Sequence, residues 1–426
     1  MMNLIQNHSK RFNLLLLLIA SSMFFMKTCT WLTIIFVVYN LIYIKKIQFD
    51  KKIIYKGLLI AAPLILETLM FWNNDSFILG LKSIEKSLTL LLFPIFIIGN
   101  YNIINTERLL KNYSVVSTIL LILFFIRFII FYPILIKKYI NGIDLIEMGY
   151  KYAESIGIHA PALNMHVVFI SLINLYFLIK RYSSSKLWIN ISNLFFFIFS
   201  FFFVLFINTR TALICFTVSF IFMVFYQFKF YENYKKSIIN ILLITFLSLI
   251  TFFFYLKNNP YMVEKYTKVT FGHMDKIGRL DEIKDPQIHV FNSLVTRISI
   301  WKSSLELSKN HLLFGFGASD NKKELISYYK KTNQKFLAKY EFPVHNQILD
   351  FLLKYGIFGV ITFFIYIGNI FFLGLKLKNE IVFSFFIIFF ISNLTDDFLI
   401  RFDGIVFSGL WISIFSCMLL KKTYND

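Results

Sequence analysis

The feature that most constrains this chain is a succession of apolar runs, most of them close to 20 residues long, separated by short polar segments. A membrane-spanning helix needs about 20 mostly apolar residues. The chain is 57% hydrophobic and only 16% charged, whereas soluble domains carry about 25% charged residues. A water-soluble fold could not bury this much apolar surface. We therefore predict an all-α polytopic membrane protein.

Twelve spans are predicted from these runs. They lie at roughly 12–27, 29–44, 54–72, 79–99, 115–136, 162–180, 187–207, 209–227, 236–256, 356–375, 380–395 and 404–420. The first run resembles a signal peptide, but the second begins at once at Cys29 with no small-residue cleavage site before it, so we interpret it as a retained span in a tight hairpin. The run at 79–99 is the least regular, because Lys82, Glu85 and Lys86 interrupt it.

The short loops are asymmetric in charge. Lysine pairs such as Lys45–Lys46 and Lys421–Lys422 fall on one side, while the short loops on the other side carry few basic residues. Lys and Arg accumulate in cytoplasmic loops. This predicts a bacterial inner-membrane protein with both termini in the cytoplasm. The formal net charge of +20 is then a matter of membrane orientation rather than of nucleic-acid binding.

One segment breaks the pattern. Residues 257–355 are polar and basic and form a loop between the ninth and tenth spans, on the outer face. We predict helices within it around 295–309 and 320–340. A loop this long is usually functional, so we expect it to carry part of the active site, inserted into a single membrane domain that comprises residues 1–426.

Two arginines face the outside in this topology. Arg210 lies in the tight turn Asn-Thr-Arg-Thr-Ala at 208–212, where its planar guanidinium suits phosphate oxygens or simply reaches to lipid headgroups. Arg297 and Trp301 are four residues apart and share one helix face. The alternative for this pair is an amphipathic helix with a tryptophan anchor at the membrane surface.

His345 stands at the end of the loop, in Pro-Val-His-Asn-Gln at 343–347. An imidazole can accept a proton from a sugar hydroxyl near neutral pH, although a single histidine is more often a structural hydrogen-bonding residue.

Charged residues inside or beside the spans are also candidates. Glu67 and Arg127 are mid-span and could form a structural pair, since ions in the membrane tend to pair or to serve function. Asp396, Asp397 and Asp403 cluster with Arg401 between the last two spans. That cluster suggests either an ion pair in a solvated turn, which we favour, or a metal or general-base site. The three cysteines have no metal-site or disulfide spacing.

The order of four motifs resembles the O-antigen ligase and polymerase superfamily. They are NTRTA (208–212), RISIWKSSLEL (297–307), LLFGFGAS (312–319) and HNQILDFLLKYGIFG (345–359). The resemblance is best over roughly 200–375, and the twelve-span plan with one large late loop extends it to a GT-C-like architecture. One departure is that Asn208-Thr209 stands where Ser usually precedes the motif Arg.

The resemblance implies a membrane glycosyltransferase that moves a glycan from undecaprenyl diphosphate at the periplasmic face, without a metal or cofactor. Arg210 and Arg297 would bind the diphosphate and His345 would activate or orient the acceptor hydroxyl. Further substrate-binding candidates are Trp301 and Asn346 and also Lys82 and Lys86, which lie one helical turn apart and either reach the diphosphate or line a polar seam. The partners implied are the carrier-linked glycan donor and, as acceptor, lipid A–core for a ligase or a second carrier-linked glycan for a polymerase.

Ligase is the leading hypothesis, polymerase is the close alternative, and a protein-glycosylating enzyme is less favoured. A lipid-linked glycan transporter would place functional charges at the membrane midplane and show repeated halves, and no repeat is present. A metal-dependent transferase would carry an acidic motif in the first outer loop, which here is only Lys27-Thr28.

Overall fold

In the computed structural model, helix is the one regular secondary structure of the described residues, which contain no strand. These residues are 2–141, 147–181, 187–230, 250, 253 and 269–425. The predicted ninth span, 236–256, therefore lies outside the described residues except at two positions.

Eleven described α-helices precede the long loop. They are α1 (Met2–Ser22), α2 (Met26–Ile42), α3 (Lys51–Leu69), α4 (Phe77–Ser87), α5 (Thr89–Phe93), α6 (Thr106–Phe131), α7 (Pro133–Ile140), α8 (Glu147–Ile156), α9 (Ala160–Arg181), α10 (Leu187–Ile207) and α11 (Arg210–Phe230). The described helices that follow are α12 (Pro286–His289), α13 (Leu294–Ser308), α14 (Asn321–Lys331), α15 (Lys335–Tyr340), α16 (Gln347–Leu377), α17 (Glu380–Thr395) and α18 (Phe402–Asn425).

Six of the described helices are long and apolar enough to cross a membrane, namely α6, α9, α10, α11, α16 and α18. Two shorter apolar helices, α2 and α17, add to them. The structure thus confirms a polytopic helical membrane protein, while the count of twelve spans stays a prediction.

The span predicted at 79–99 is not a single regular α-helix, and whether it crosses the membrane stays a prediction. Helix α4 ends at Ser87, α5 follows Leu88, and residues 94–98 form a π turn. Pro94 begins that turn. Proline has no amide hydrogen, and its ring clashes with the carbonyl four residues earlier, so it disfavours regular α-helix geometry at this point.

Helices α9 and α18 form the centre of the bundle, where nearly all of their residues are buried. Polar side chains there bond between helices, as membrane interiors require. Asn174 donates to Ser200 Oγ at 3.1 Å and to Thr118 Oγ1 at 3.2 Å. Trp411 packs against Phe169 with ring centroids 5.2 Å apart.

Both termini lie at one end of the bundle, which we call the terminal end. Ser9 donates to the carbonyl of Ile103 at 2.9 Å, and Lys421 donates to that of Ile104 at 2.5 Å. The described part of the long loop covers the opposite end, which we call the loop end. Asn73, after α3, donates to the Phe314 carbonyl there at 2.9 Å. The basic C-terminal segment and the long loop therefore lie at opposite ends of the bundle, as the sequence predicts. Which end faces the cytoplasm stays a prediction.

The described part of the long loop, 269–346, has its own apolar core, which includes Val295, Ile300, Leu325 and Tyr329. Helix α13 confirms the helix predicted at 295–309. The helix predicted at 320–340 is instead two helices, α14 and α15. They are separated at Asn333, whose φ of 56° is left-handed, a conformation that asparagine tolerates better than most residues.

Helix α16 is bent where the loop meets the bundle. Gly356, with φ 61° and ψ −145°, separates an initial segment from the long apolar part of α16. The glycine turn of the loop lies against this bend. Phe316 N donates to the Leu353 carbonyl at 2.7 Å, and Gly317 N to the Lys354 carbonyl at 3.0 Å. The turn therefore satisfies carbonyls that the bend leaves free and fixes the start of α16.

Candidate active site

Arg210 is the first residue of α11 and points across the loop end. The preceding turn is held by Asn164, whose amide donates to Thr209 Oγ1 at 3.0 Å, and by the left-handed backbone of Asn208 with φ 59°. Arg210 Nη1 donates to the carbonyl of Asn292 at 2.9 Å. This bond links the α10–α11 turn to the loop just before α13.

Arg297 lies on α13, one turn after the N-cap Ser293. Its side chain is half-buried, and its Nη1 atom is buried with no hydrogen-bond partner among the described residues. A buried donor without a partner costs free energy, so this atom is poised to bind an acceptor from outside the chain.

Both arginines line one cavity of about 770 Å³, which we call the arginine cavity. Its wall includes Tyr150 from α8, Met165 from α9 and Asp396 after α17. The charges of Arg210, Arg297 and Asp396 all reach the hydroxyl of Tyr150. The structure therefore brings the two predicted arginines together.

His345 lies beside this cavity but is not part of its lining. Its backbone is left-handed, with φ 52°, which turns the chain just before α16. Its Nδ1 atom lies 3.3 Å from Asp396 Oδ1, and 23% of the side chain remains exposed. The histidine is thus coupled to the arginine cavity through Asp396.

Arg401 connects the two acids beside His345. Its Nη2 atom donates to Asp396 Oδ1 and to Asp397 Oδ1, each at 3.2 Å. Its Nη1 atom lies 3.4 Å from Nδ1 of His159, just before α9. Burial and the charge of Arg401 lower the pKa of His159, which favours a neutral imidazole that accepts this hydrogen bond. The ion pair predicted for this cluster is therefore present, but the predicted solvated turn is wrong, because Asp396 and Asp397 are both buried.

The two adjacent acids differ in electrostatics. Burial raises the pKa of Asp397, and interaction with Asp396 adds to the effect. Burial also opposes ionisation of Asp396, but hydrogen bonds from His345 and Asp397 and the charge of Arg401 outweigh it and hold its pKa well below the usual range. Asp396 is therefore a carboxylate facing His345, beside a neutral Asp397.

The same acids could offer ligands to a metal. One ligand atom each from His345, Asp396 and Asp397 lies within 4.8 Å of the others. However, the guanidinium of Arg401 already lies 3.2 Å from both carboxyl groups. A divalent cation there would have to displace or tolerate that charge, so the donor set fits a cation poorly.

Two other predicted binding residues are used within the protein. The Asn346 side chain caps α16, accepting from Ile348 N at 3.0 Å and Leu349 N at 3.2 Å, and donates to the Leu394 carbonyl at 3.0 Å. Trp301 packs against the apolar core of the loop and lines neither cavity described here. Substrate binding by these two residues stays a prediction, which the geometry does not favour.

Lys82 and Lys86 lie in a different place from the arginines. They line a second cavity of about 320 Å³ between α3, α4, α14 and the start of α16, which we call the lysine cavity. Asp397 lines the lysine cavity, whereas its neighbour Asp396 lines the arginine cavity. The two cavities are therefore separated by the segment that carries the acids.

The suggested pair of Glu67 and Arg127 is wrong. Glu67 accepts a hydrogen bond from Ser83. Arg127 donates to the carbonyl of Ser155 at 3.0 Å, on another part of the bundle. The position of a residue within a span does not show which helix faces meet. Each charged side chain is instead hydrogen-bonded to a polar group close to it in the folded chain.

Sequence reasoning missed His159 and Tyr150, and it did not foresee the contact between His345 and Asp396. His159 stands two residues after Gly157, at the outer end of a span, and a titratable residue at that boundary was the available signal. Tyr150 gave no such signal, because tyrosine is common in short amphipathic helices.

Comparison with known proteins gives a match to a protein family. Residues 195–364 match a family model described as O-Antigen ligase. The matched segment contains Arg210, Arg297 and His345 but ends before Asp396. No curated protein matches the chain.

Proposed function

From the O-antigen ligase superfamily domain that this chain carries over residues 195–364, we propose that the protein is an O-antigen ligase. It moves a glycan from undecaprenyl diphosphate to lipid A–core at the periplasmic face of the bacterial inner membrane. The observation that carries the proposal is the meeting of Arg210 and Arg297 in one cavity, beside a histidine held by a carboxylate.

The arginine cavity suits a diphosphate. Arg210 has one nitrogen committed to the Asn292 carbonyl, which orients its guanidinium, and Arg297 Nη1 is buried and awaits an acceptor. Guanidinium groups bind phosphate oxygens through paired hydrogen bonds. As the glycan leaves, negative charge concentrates on the diphosphate, and fixed cations in a poorly solvated site stabilise that charge strongly.

The histidine supplies the proton transfer. With Nδ1 bonded to Asp396, Nε2 is the nitrogen that accepts the proton of the acceptor hydroxyl. The hydroxyl oxygen then bonds to the anomeric carbon while the bond from that carbon to the diphosphate oxygen breaks, and the diphosphate keeps the electron pair. Asp396 is a positioning residue that selects the tautomer and stabilises the imidazolium as it forms. A single displacement of this kind inverts the anomeric configuration.

No step of this reaction needs a metal. The arginines neutralise the leaving group, which is the task a divalent cation performs in other transferases. The charge of Arg401 between Asp396 and Asp397 also disfavours a cation beside His345.

The test is transfer by the purified full-length protein in nanodiscs, with an undecaprenyl-diphosphate-linked oligosaccharide and phosphorylated lipid A–core. Arg210→Gln, Arg297→Gln and His345→Gln should each lower turnover by about 100-fold or more, the usual scale for loss of a charge-stabilising or proton-transfer group. The arginine variants should also weaken donor binding, whereas His345→Gln should leave it unchanged. A chelator should have no effect.

Two control variants match the changes in residue type and setting. Arg279→Gln removes an exposed loop arginine that pairs with Glu282. His273→Gln removes an exposed histidine whose left-handed backbone, φ 58°, matches that of His345. Both should transfer at near wild-type rates. Wild-type activity in the three site variants would refute the proposal.

The polymerase alternative is decided in the same assay by the acceptor. Transfer onto a second carrier-linked repeat unit, with none onto lipid A–core, would replace ligase by polymerase and leave the donor chemistry intact. Movement of labelled carrier-linked glycan across the membrane at wild-type rates in all three site variants, without transfer, would indicate a transporter.

A further inference from the structure

The lysine cavity has no part in the reaction as described above, although it borders the candidate active site. Its wall combines α4 residues with loop residues such as Ser319 and Lys322 and with the start of α16. It also includes Pro343 and Val344, which directly precede His345. The histidine and the two acids therefore lie in the wall between this cavity and the arginine cavity.

Most charged groups of the lysine cavity are satisfied within the protein. Lys354 and Asp350 form a buried ion pair of 2.7 Å. Asp350 also accepts from Asn321 at 3.0 Å and from Gln347 at 3.4 Å. Lys322 lies 3.6 Å from Glu341. Asp350 and Glu341 are therefore already paired with other lysines.

Lys82 and Lys86 are different, because no carboxylate of the described residues lies within ion-pair distance of either ammonium group. They are one helical turn apart and so share one face of α4. Glu67, the acid that α3 contributes to the cavity wall, accepts a hydrogen bond from Ser83 instead.

Both side chains are exposed beside the cavity, and their position along a helix that enters the bilayer makes two unpaired ammonium groups costly. Helix α4 starts at the loop end, after Asn73 contacts Phe314, and the chain reaches the terminal end at Gly99, whose carbonyl accepts from Gln48 N at 2.9 Å. At 1.5 Å per residue, Lys82 lies about 9 Å and Lys86 about 15 Å below Ser76 along the helix. Charges at such depth are expensive and are kept where they pair or bind.

We propose that the lysine cavity binds a phosphate group of the lipid-anchored acceptor, with Lys82 and Lys86 as its ligands. This inference rests on the proposed function. The donor diphosphate occupies the arginine cavity and the acceptor phosphate the lysine cavity. The segment that carries the acids lies between them. The acceptor hydroxyl then reaches His345 from the side of the lysine cavity, and the leaving group lies on the side of the arginine cavity. Phosphates of lipid A–core and the diphosphate of a second carrier-linked unit offer the same chemistry to two lysines.

The test measures binding rather than turnover alone. Wild type, Lys82→Gln/Lys86→Gln and Arg210→Gln/Arg297→Gln proteins are placed in nanodiscs. Two probes are titrated separately: a phosphorylated glucosamine-disaccharide lipid of the lipid A type, and undecaprenyl diphosphate. The dephosphorylated disaccharide lipid is the reference for each protein. Lys323→Gln/Lys330→Gln is the matched control, because both lysines are on α14 and line neither cavity.

The lysine double variant should bind the phosphorylated disaccharide lipid at least ten-fold more weakly, without changing its weak binding of the dephosphorylated form. Alternatively, the wild type binds two molecules of undecaprenyl diphosphate and the lysine double variant binds one. That result would support the same phosphate site, with a carrier-linked glycan as the acceptor. In both cases the control variant should bind as wild type does.

Unchanged binding of both probes by Lys82→Gln/Lys86→Gln would overturn this inference. That result is distinct from failure of the proposed function. The latter would appear as unchanged donor binding and turnover in the arginine double variant, whatever the lysine variants do.

Discussion

At the scale of single residues, Asp396 and Asp397 show how neighbours in sequence receive opposite electrostatic environments. Asp396 contacts His345 and Arg401 and keeps its charge. Asp397 is 1% exposed, and its Oδ2 atom has no hydrogen-bond partner among the described residues. Burial without enough partners favours the neutral acid, so one negative charge is shared by the pair at neutral pH.

This arrangement predicts a pH dependence of stability. Burial first, and then Asp396, raise the pKa of Asp397 to about 8, against about 3.9 in an unfolded chain. The folded state binds the extra proton, so the stabilisation is complete below pH 4 and is lost as pH rises toward 8. Asp397→Asn should remove this loss. The fall in the unfolding temperature of detergent-solubilised protein between pH 5 and pH 8 should then be smaller than in wild type.

The control for that measurement is Asp285→Asn. Asp285 is exposed, and its left-handed backbone is one that asparagine also adopts. It should show the wild-type pH dependence. An equal fall in Asp397→Asn and wild type would contradict the assignment of the proton to Asp397.

At the scale of elements, the bent helix α16 and the glycine turn of the loop form one unit. The backbone of Ile357 donates to the Leu312 carbonyl at 2.8 Å, and the turn donates back to Leu353 and Lys354. A β-carbon at Gly356 would overlap the backbone of Leu313. This close approach fixes the direction of the initial segment of α16, and therefore the position of His345 at its start.

Gly356→Ala should consequently destabilise the protein. Its φ of 61° is unfavourable for alanine, and the overlap adds to the cost, so we expect a loss on the order of 2–3 kcal/mol and a lower unfolding temperature. Gly368→Ala, on the same helix, is the control, because no heavy atom lies within 4 Å of its β-carbon position. It should be neutral or slightly stabilising. Equal effects of the two substitutions would show that the bend does not depend on the glycine.

At the scale of the whole molecule, the two ends of the bundle carry different groups. The terminal end gathers both termini and the paired lysines, where Tyr226 also donates to the Lys378 carbonyl at 2.5 Å. The loop end holds the arginine cavity, the lysine cavity and the segment between them. All of the candidate chemistry is therefore at one end of the bundle, as a reaction on one face of a membrane requires.

The predicted orientation has a direct test. Lys323→Cys at the loop end and Lys422→Cys at the terminal end are labelled with a membrane-impermeant maleimide in spheroplasts. The native Cys29, Cys215 and Cys417 are buried and give a low background. Lys323→Cys should react at once, and Lys422→Cys only after permeabilisation, because basic short loops stay in the cytoplasm. The reverse pattern would place the candidate site on the cytoplasmic face and rule out the periplasmic reaction.

The confirmed predictions from sequence are those that depend on local quantities. The hairpin of the first two helices, the boundaries of α10 and α17, and the helix that carries Arg297 follow from the length and period of apolar runs. The change to a π turn at Pro94 could have been predicted from the residue type, whereas the interruption at Leu88 could not. The separation of Lys82 from the arginines was not available, because no local pattern reports which helix faces meet.

By itself, the sequence determined that the chain lies in a bilayer, that its charges divide between two ends, and that basic groups and a histidine stand at one of them. Only the tertiary structure decided which of these groups meet. Arg210 reaches a carbonyl 82 residues away, and His345 reaches an acid 51 residues away. Hydrophobicity is a property of each segment and can be seen along the chain, whereas a site depends on how segments pack, and packing is fixed by contacts between residues distant in sequence.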